Sequence, residues 1–474
     1  MASNTPFKGA ARSAAVLAIC FLPGLAGGQD APTPRPAPQG EIELTLPQVR
    51  DLAIRALASG QPQLARHLSF GLIKADPKSP FAYYTLARAE GQMGRHPQAR
   101  RAARRAYRLA DSAPQRFEAA EFAARISYAE KRPTATQLWL RRAVQNAPTK
   151  QIETQLGRDF ARVRAENPLS FSIRGGLRPS NNVNNGADTA VQIIDGLPFT
   201  GFLSGDAQAL SGIVGHVDAS LSYRLRGDKR SRTEIGARFY HKRVALDSDA
   251  RAQAPTSSNS DFASTYGALN LNHIFAVGAQ GNSAELDASL GQFWSGGDRS
   301  YDFAKLEANH NWRLGDTTKV SLGASIEMRH SAVSSFMDSN VLAVQAGVQR
   351  GLENGDRLSF TLNLQHTDSD FRNARTGSAT LGARYAFGDM IGPARVSAGV
   401  VLGYSDYPDY VALFAVPGGR QDKSVYANVS LFFPDVDYAG FAPTVQISTG
   451  RKFSNVSRFD TRELAVSLGV QSKF

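Results

Sequence analysis

The chain has 474 residues, 54 Lys and Arg against 42 Asp and Glu, a formal net charge of +12 and a single cysteine. That length allows two or three domains with ample core. A mean hydropathy of −0.29 argues against a bundle of membrane-spanning helices.

At the N-terminus, Lys8 and Arg12 precede an apolar run over 14–25, and the small residues Ala26, Gly27 and Gly28 follow it. The pattern predicts a cleavable signal peptide over 1–28, with Gln29 as the mature start; the run is too short to cross a bilayer as a helix. Cys20 lies inside the run behind Ile19, which is not the small residue that lipid attachment needs, so it leaves with the peptide. The exported chain then has no disulfide and no thiolate metal site. Export also argues against a nucleic-acid partner, despite a pI near 9.8. Residues 29–40 are Pro-rich and read as an extended linker.

From 41 to 167 the pattern is helical, and residues 41–150 hold 19 Lys and Arg against 9 Asp and Glu. Gly60 and Gly94 stand 34 residues apart, as do Ala65 and Ala99, and K-R-P-T-A at 131–135 is a third copy of the same turn. Pro77, Pro114 and Pro148 close successive units. This pattern resembles the tetratricopeptide family, with copies at 46–79, 80–113 and 114–149, a periplasmic solenoid of helix pairs. Arg100, Arg101, Arg104, Arg105 and Arg108 fall on one broad helix face. Such a face is either solvated or a docking surface for an acidic client or anionic lipid headgroups.

From 168 to 474 the period becomes 2. Val320, Leu322, Ala324, Ile326 and Met328 alternate with Ser321, Gly323, Ser325 and Glu327. Strands are expected at 169–177, 208–226, 231–245, 261–276, 282–296, 299–314 and 316–331. The others fall at 338–351, 356–369, 374–388, 393–407, 421–434, 440–453 and 457–474. Fourteen long alternating strands cut by turns predict an antiparallel transmembrane β-barrel of the outer membrane, with apolar residues toward lipid. Its short connections, such as R-G-D-K-R and L-E-N-G-D-R, belong on the periplasmic side, where the helical domain then also lies. Leu464, Val466, Leu468, Val470 and Phe474 form an apolar comb that resembles the C-terminal signal read by the barrel assembly machinery. Trp294, Trp312, Tyr385, Tyr404, Phe432 and Phe433 are candidates for interfacial girdles in contact with lipid.

No catalytic constellation emerges, and no enzyme activity or cofactor is expected. His273, His310 and His330 fall on different strands, and Asp188 and Asp195 are cation-ligand candidates without a regular loop spacing.

The stretch F-S-I-R-G-G-L-R-P-S-N-N-V-N-N-G-A-D (171–188) follows the helical repeats and opens the barrel. It resembles the first strand and Pro-Ser-x-Asn-(Val/Ile)-Asn signature of the surface lipoprotein assembly modifiers (the Slam family, type XI secretion), carried here by Pro179, Ser180, Asn182, Val183 and Asn184. The resemblance implies an outer-membrane translocon for client lipoproteins or related secreted haem- or metal-capturing proteins. The alternative is a passive porin with a periplasmic partner-docking module. Pro179, Ser180, Asn181, Asn182, Asn184 and Asn185 head the first outward connection, expected over 178–207. That connection either closes the rim by turn chemistry or folds beside the first/last-strand seam and shapes the client path.

Overall fold

The computed structural model describes residues 43–197, 200–436 and 441–472. The expected signal peptide, the linker and Phe474 lie outside the described residues. The chain divides into two compact units, split between Asn167 and Pro168.

The first unit, among the described residues, consists of α1 (Leu46–Ala58), α2 (Pro62–Ala75), α3 (Pro80–Gln92), α4 (His96–Leu109), α5 (Ala113–Ala129), α6 (Pro133–Gln145) and α7 (Lys150–Glu166). Proline opens the first turn of each of α1 to α6, where its missing N–H costs nothing. Ala65, Ala82, Ala99 and Ala123 are fully buried, and these small side chains let neighbouring helices approach closely. The first helices of successive pairs touch, α1 with α3 and α3 with α5, which puts them on the inner side of the stack.

The repeat is visible in its turns. Gly60 (φ 68°), Gly94 (φ 71°) and Lys131 (φ 55°) all adopt the left-handed conformation. The next N–H in each case reaches back across the turn: Gln61 to Ala56 O, Arg95 to Glu90 O, Arg132 to Ser127 O. The buried small residue of the third copy is Thr136, whose hydroxyl donates to Arg132 O at 3.0 Å. A lysine in left-handed backbone is strained by about 1 kcal/mol. Lys131→Gly is therefore expected to stabilise the helical unit by about that amount, and Gly94→Ala to destabilise it similarly. Urea unfolding of the whole protein followed by helical circular dichroism measures both.

The second unit is a closed antiparallel barrel. Its first seven strands are β1 (Leu169–Ser180), β4 (Gly212–Gly227), β5 (Ser231–Leu246), β6 (Ser264–Ala276), β7 (Ser283–Ser295), β8 (Asp298–Leu314) and β9 (Thr318–Ser331). It continues through β10 (Ser339–Gly351), β11 (Arg357–Ser369), β12 (Thr376–Ala386), β13 (Arg395–Tyr407), β14 (Arg420–Phe432), β15 (Phe441–Ser454) and β16 (Thr461–Ser472). β16 closes on β1. These are the fourteen strands expected from the sequence. The short hairpin β2 (Val191–Ile193) and β3 (Thr200–Phe202) lies within the first connection, as does one turn of helix α8 (Ser248–Gln253) within the second.

Two expectations are corrected at the first connection. β1 runs on through Pro179 and Ser180, which pair with Ile213 and Gly212, and β4 begins only at Gly212 rather than at 208. The connection is therefore 181–211. Elsewhere, Phe432 does not join a girdle: it pairs with Thr444, on the same face as Ser430 opposite Gln446. That face is the polar, lumenal one, because side chains alternate strictly along a strand.

The outer face is apolar. Phe171, Leu290, Leu306 and Leu468 are 62%, 67%, 60% and 56% exposed on the barrel wall, which makes sense only against lipid. Trp294 and Tyr404 stand outward at the ends bearing the long connections 181–211, 247–263 and 408–419, and Trp312 and Tyr385 at the end bearing the short turns. The lumenal wall carries polar ladders: Lys305 Nζ donates to Glu307 at 2.5 Å, Arg329 to Glu327 at 2.6 Å and Asn270 to Asp287 at 2.7 Å.

Candidate functional site: a clasp across the closing seam

β1 is paired with β4 along its whole length. Among the described residues, it pairs with β16 at Gly175, Gly176, Leu177 and Ser180, opposite Val470, Gly469, Leu468 and Ala465. The ladder skips Arg178 and Pro179, and proline has no N–H to offer. Side chains take over there. The Arg178 guanidinium pairs with the Glu463 carboxylate on the lumenal side, and Asn181 Oδ1 accepts from Leu464 N–H at 3.1 Å, one step beyond Ser180.

The other asparagines build the loop that holds this end. Asn182 exchanges two bonds with Gly186: its Nδ2 donates to the carbonyl at 2.9 Å, and its Oδ1 accepts from the N–H at 2.8 Å. Asn184 Nδ2 donates to Asp206 O at 2.9 Å and Gln208 O at 2.7 Å, while its Oδ1 accepts from Leu210 N–H at 2.9 Å and Gly186 N–H at 3.3 Å. Asn185 sits at φ 55°, a conformation asparagine tolerates better than most residues. Gly186 is obligatory, because a Cβ there would lie 2.2 Å from Gln208 O. Val183 is the apolar pin of the same loop. It is buried with Leu210, Val214, Val244, Leu246 and Ala250, which ties the first connection to the second.

The return limb of 181–211 crosses the seam. Asp188 N–H donates to Asp460 O, and Asp188 Oδ1 accepts from Arg462 N–H, both at 2.9 Å. Ile193 N–H donates to Ser457 Oγ at 2.7 Å, that hydroxyl donates to Val191 O at 3.0 Å, and Asp195 N–H donates to Asn455 O at 2.9 Å. Burial raises the Asp460 carboxyl above the usual aspartate range, partly offset by the Ser454 N–H it accepts. The candidate cation ligand Asp188 thus spends its carboxylate on main chain. Among the described residues, no group of three or more His, Cys, Asp or Glu side chains is placed to hold a metal.

Behind the clasp sits a buried cation. Arg420 is 8% exposed and forms two hydrogen bonds with Asp422, at 3.2 and 2.9 Å. Its guanidinium lies 3.7 Å from the Tyr407 ring centroid and 3.6 Å from that of Phe459. Tyr410, Val416 and Val456 close around it with Ile194, so connections 181–211, 408–419 and 455–460 share one small core.

The other candidates fall elsewhere. Leu464, Val466, Leu468 and Val470 face outward, 59%, 42%, 56% and 52% exposed. The arginine face of α4 divides: Arg100 pairs with Glu130 at 2.7 Å, and Arg105 lies over the Tyr83 ring at 5.7 Å. Arg101, Arg104 and Arg108 are exposed. The structural role of Arg100 had a sequence signal, since Arg66, one repeat earlier, makes the same kind of bond to Glu90 at 2.8 Å. The three histidines stay apart: His273 bonds Thr233 Oγ1 at 2.9 Å, His310 packs on Trp312 with ring centroids 4.2 Å apart, and His330 bonds Asp338 at 2.8 Å. The buried Arg420 core was invisible in the sequence because its members come from three separate connections.

No family model and no curated protein matches the chain. Among solved structures, the chain is similar to the type III secretion translocator chaperone SycD of Yersinia enterocolitica, at 17% identity and a TM-score of 0.24 over 26% of this chain and 85% of that one. It is also similar to a loop-deletion mutant of OmpT, an outer-membrane protein of Vibrio cholerae, at 10% identity and a TM-score of 0.33 over 65% of this chain and 99% of that one. A third likeness is to OccAB3 of Acinetobacter baumannii, at 9% identity and a TM-score of 0.35 over 63% and 98%.

Proposed function

We propose that this protein is an outer-membrane translocon that delivers client lipoproteins, or related secreted haem- or metal-capturing proteins, to the cell surface. The helical repeats engage the client in the periplasm, and the barrel passes it outward beside the first/last-strand seam. The observation that carries this reading is the seam itself. Among the described residues its main-chain ladder gives way to side-chain bonds from Arg178 and Asn181, which flank the Pro179-Ser180 pair that opens the Pro-Ser-x-Asn-Val-Asn signature. A junction held by a few polar side chains opens at lower cost than a continuous ladder of main-chain bonds. Client folding outside the membrane supplies direction without a nucleotide or a cofactor, and no enzyme chemistry is needed.

The test is co-expression with a candidate client in a host that lacks such a system, scored by protease digestion of intact cells. The client should become protease-sensitive only when this protein is present. A client that stays protected in both cases removes the assignment for that client. A second reading, a passive porin, is favoured by the charged lumenal ladders around Glu307 and Glu327. Steady single-channel conductance of the purified protein, with selectivity among small solutes and no client delivery, would support it.

A further inference from the structure

The outward face of β14, β15 and β16 carries an arrangement that the clasp does not use. Arg451 and Arg462 are direct cross-strand partners, and Lys423 on β14 is the direct partner of Phe453, whose ring lies under the Arg451 guanidinium at 4.5 Å. All three cations are exposed. They stand on the same face as Leu464, Val466, Ile447 and Val425, the apolar wall immediately nearer the barrel's middle. Tyr404, a girdle aromatic, is the direct partner of Lys423, which puts the cations at the level where hydrocarbon gives way to headgroups.

Two arginines directly opposite each other on a sheet repel. The Phe453 ring and the Asp460 carboxylate, which lies close enough to feel the Arg451 charge, offset only part of this. Among the described residues none of the three cations forms an ion pair, and the nearby carboxylates are committed elsewhere: Asp188 accepts Arg462 N–H, and Asp460 accepts Ser454 N–H at 2.6 Å. Asp406 shares the outward face, opposite Gln421 rather than Lys423. Like charges kept in register at a membrane interface, with an apolar wall below them, are stabilised by an anion carried on an acyl chain. We infer that Arg451, Arg462 and Lys423 bind the phosphate of a membrane lipid headgroup, with that lipid's chains lying on Leu464, Val466 and Ile447. Guanidinium forks suit phosphate oxygens, which they hold in pairs, and the lysine adds a third charge. The site therefore tethers a lipid to the β15–β16 hairpin, on the wall next to the seam. The inference rests on the barrel being embedded in a membrane, not on the client-delivery reading.

The full-length protein in neutral detergent is titrated with phosphatidylglycerol, with phosphatidylcholine, with a phosphorylated glycolipid (lipid A) or with inorganic phosphate. Bound lipid is counted by native mass spectrometry, and barrel unfolding is followed by thermal denaturation. The wild type should retain the anionic lipids over phosphatidylcholine and gain thermal stability from them. Removing each cation should weaken retention about five-fold, so Arg451→Gln with Arg462→Gln should lose about 25-fold and the lipid-dependent thermal gain. Arg243→Ala, which removes an exposed outward cation on β5, should change neither. Without lipid, the double glutamine variant should unfold no earlier than the wild type, because repulsion has been removed; this also controls for folding. Equal retention by wild type and double variant overturns the site. Inorganic phosphate protecting as well as the lipids, or phosphatidylcholine retained as tightly as phosphatidylglycerol, overturns the lipid-phosphate assignment.

Discussion

Replacing Arg420 with methionine is expected to unfasten the outer end of the barrel while the transmembrane strands stay paired. Arg420 fills a slot between Tyr407 and Phe459 and is the hydrogen-bonded partner of Asp422, which is 5% exposed. Methionine keeps much of the volume but strips the buried carboxylate of its hydrogen-bonded counter-charge and leaves it only the more distant Lys452 ammonium, a change that costs about 3 kcal/mol. Hydrogen exchange should rise together in 408–419, 455–460 and the 193–195 limb, because these segments share one core. Exchange in β8 and β9, across the barrel, should not change. Changing Asp422 to leucine in the same chain should recover much of the loss, since an apolar pair of similar volume often replaces a buried ion pair without penalty. Wild-type protection of all three segments in the single variant would mean that the ion pair does not hold them.

The second large effect belongs to Asn184. Its amide makes four hydrogen bonds to main-chain groups of Gly186, Asp206, Gln208 and Leu210. Asn184→Ala leaves those groups unpaired at about 1 kcal/mol apiece, or about 2–4 kcal/mol in total once water reaches some of them. The first connection should become cleavable by added protease within 181–211, and Val183 should lose its packing. Asn185→Gly is the counterpart: it asks of residue 185 only its left-handed backbone, which glycine supplies, so stability should hold or rise slightly. Similar protease sensitivity in the two variants would argue that the cluster acts through general polarity rather than through Asn184.

The contrast between these two residues also explains what the sequence could tell. Strands such as β9 and β11 announce themselves because one face meets lipid and the other the lumen, and each residue reports its own side. The turn residues Gly60 and Gly94 are legible for a similar local reason: left-handed backbone selects glycine. Lys131 breaks that rule and is recovered only from its position in the repeat. The expected β1 ends at 177, where the two glycines and the asparagine run look like a turn, three residues short of its end at Ser180. Its ladder with β4 is complete, and the missing N–H of Pro179 falls on the β16 side, a matter of which neighbour lies where. The hairpin of β2 and β3, the Arg420 core and the bonds from Asp188 to 460–462 all depend on segments far apart in the chain, so no local pattern encodes them.

The interrupted ladder between β1 and β16 also bears on how the chain folds. Thirteen of the junctions join strands that are neighbours in sequence, but the last must bring together Arg178 and Glu463, 285 residues apart. Contacts of that separation form late, because the intervening chain must be ordered first. A continuous ladder at this position could lock early and out of register, whereas one interrupted at Arg178 and Pro179 and bridged by polar side chains can be tried and released. Barrel closure is then the slow step of assembly, and the asparagine loop works as a latch that sets only when the register is right. Faster opening of the seam at an unaltered rate of insertion is the kinetic signature that a change at Asn181 should leave.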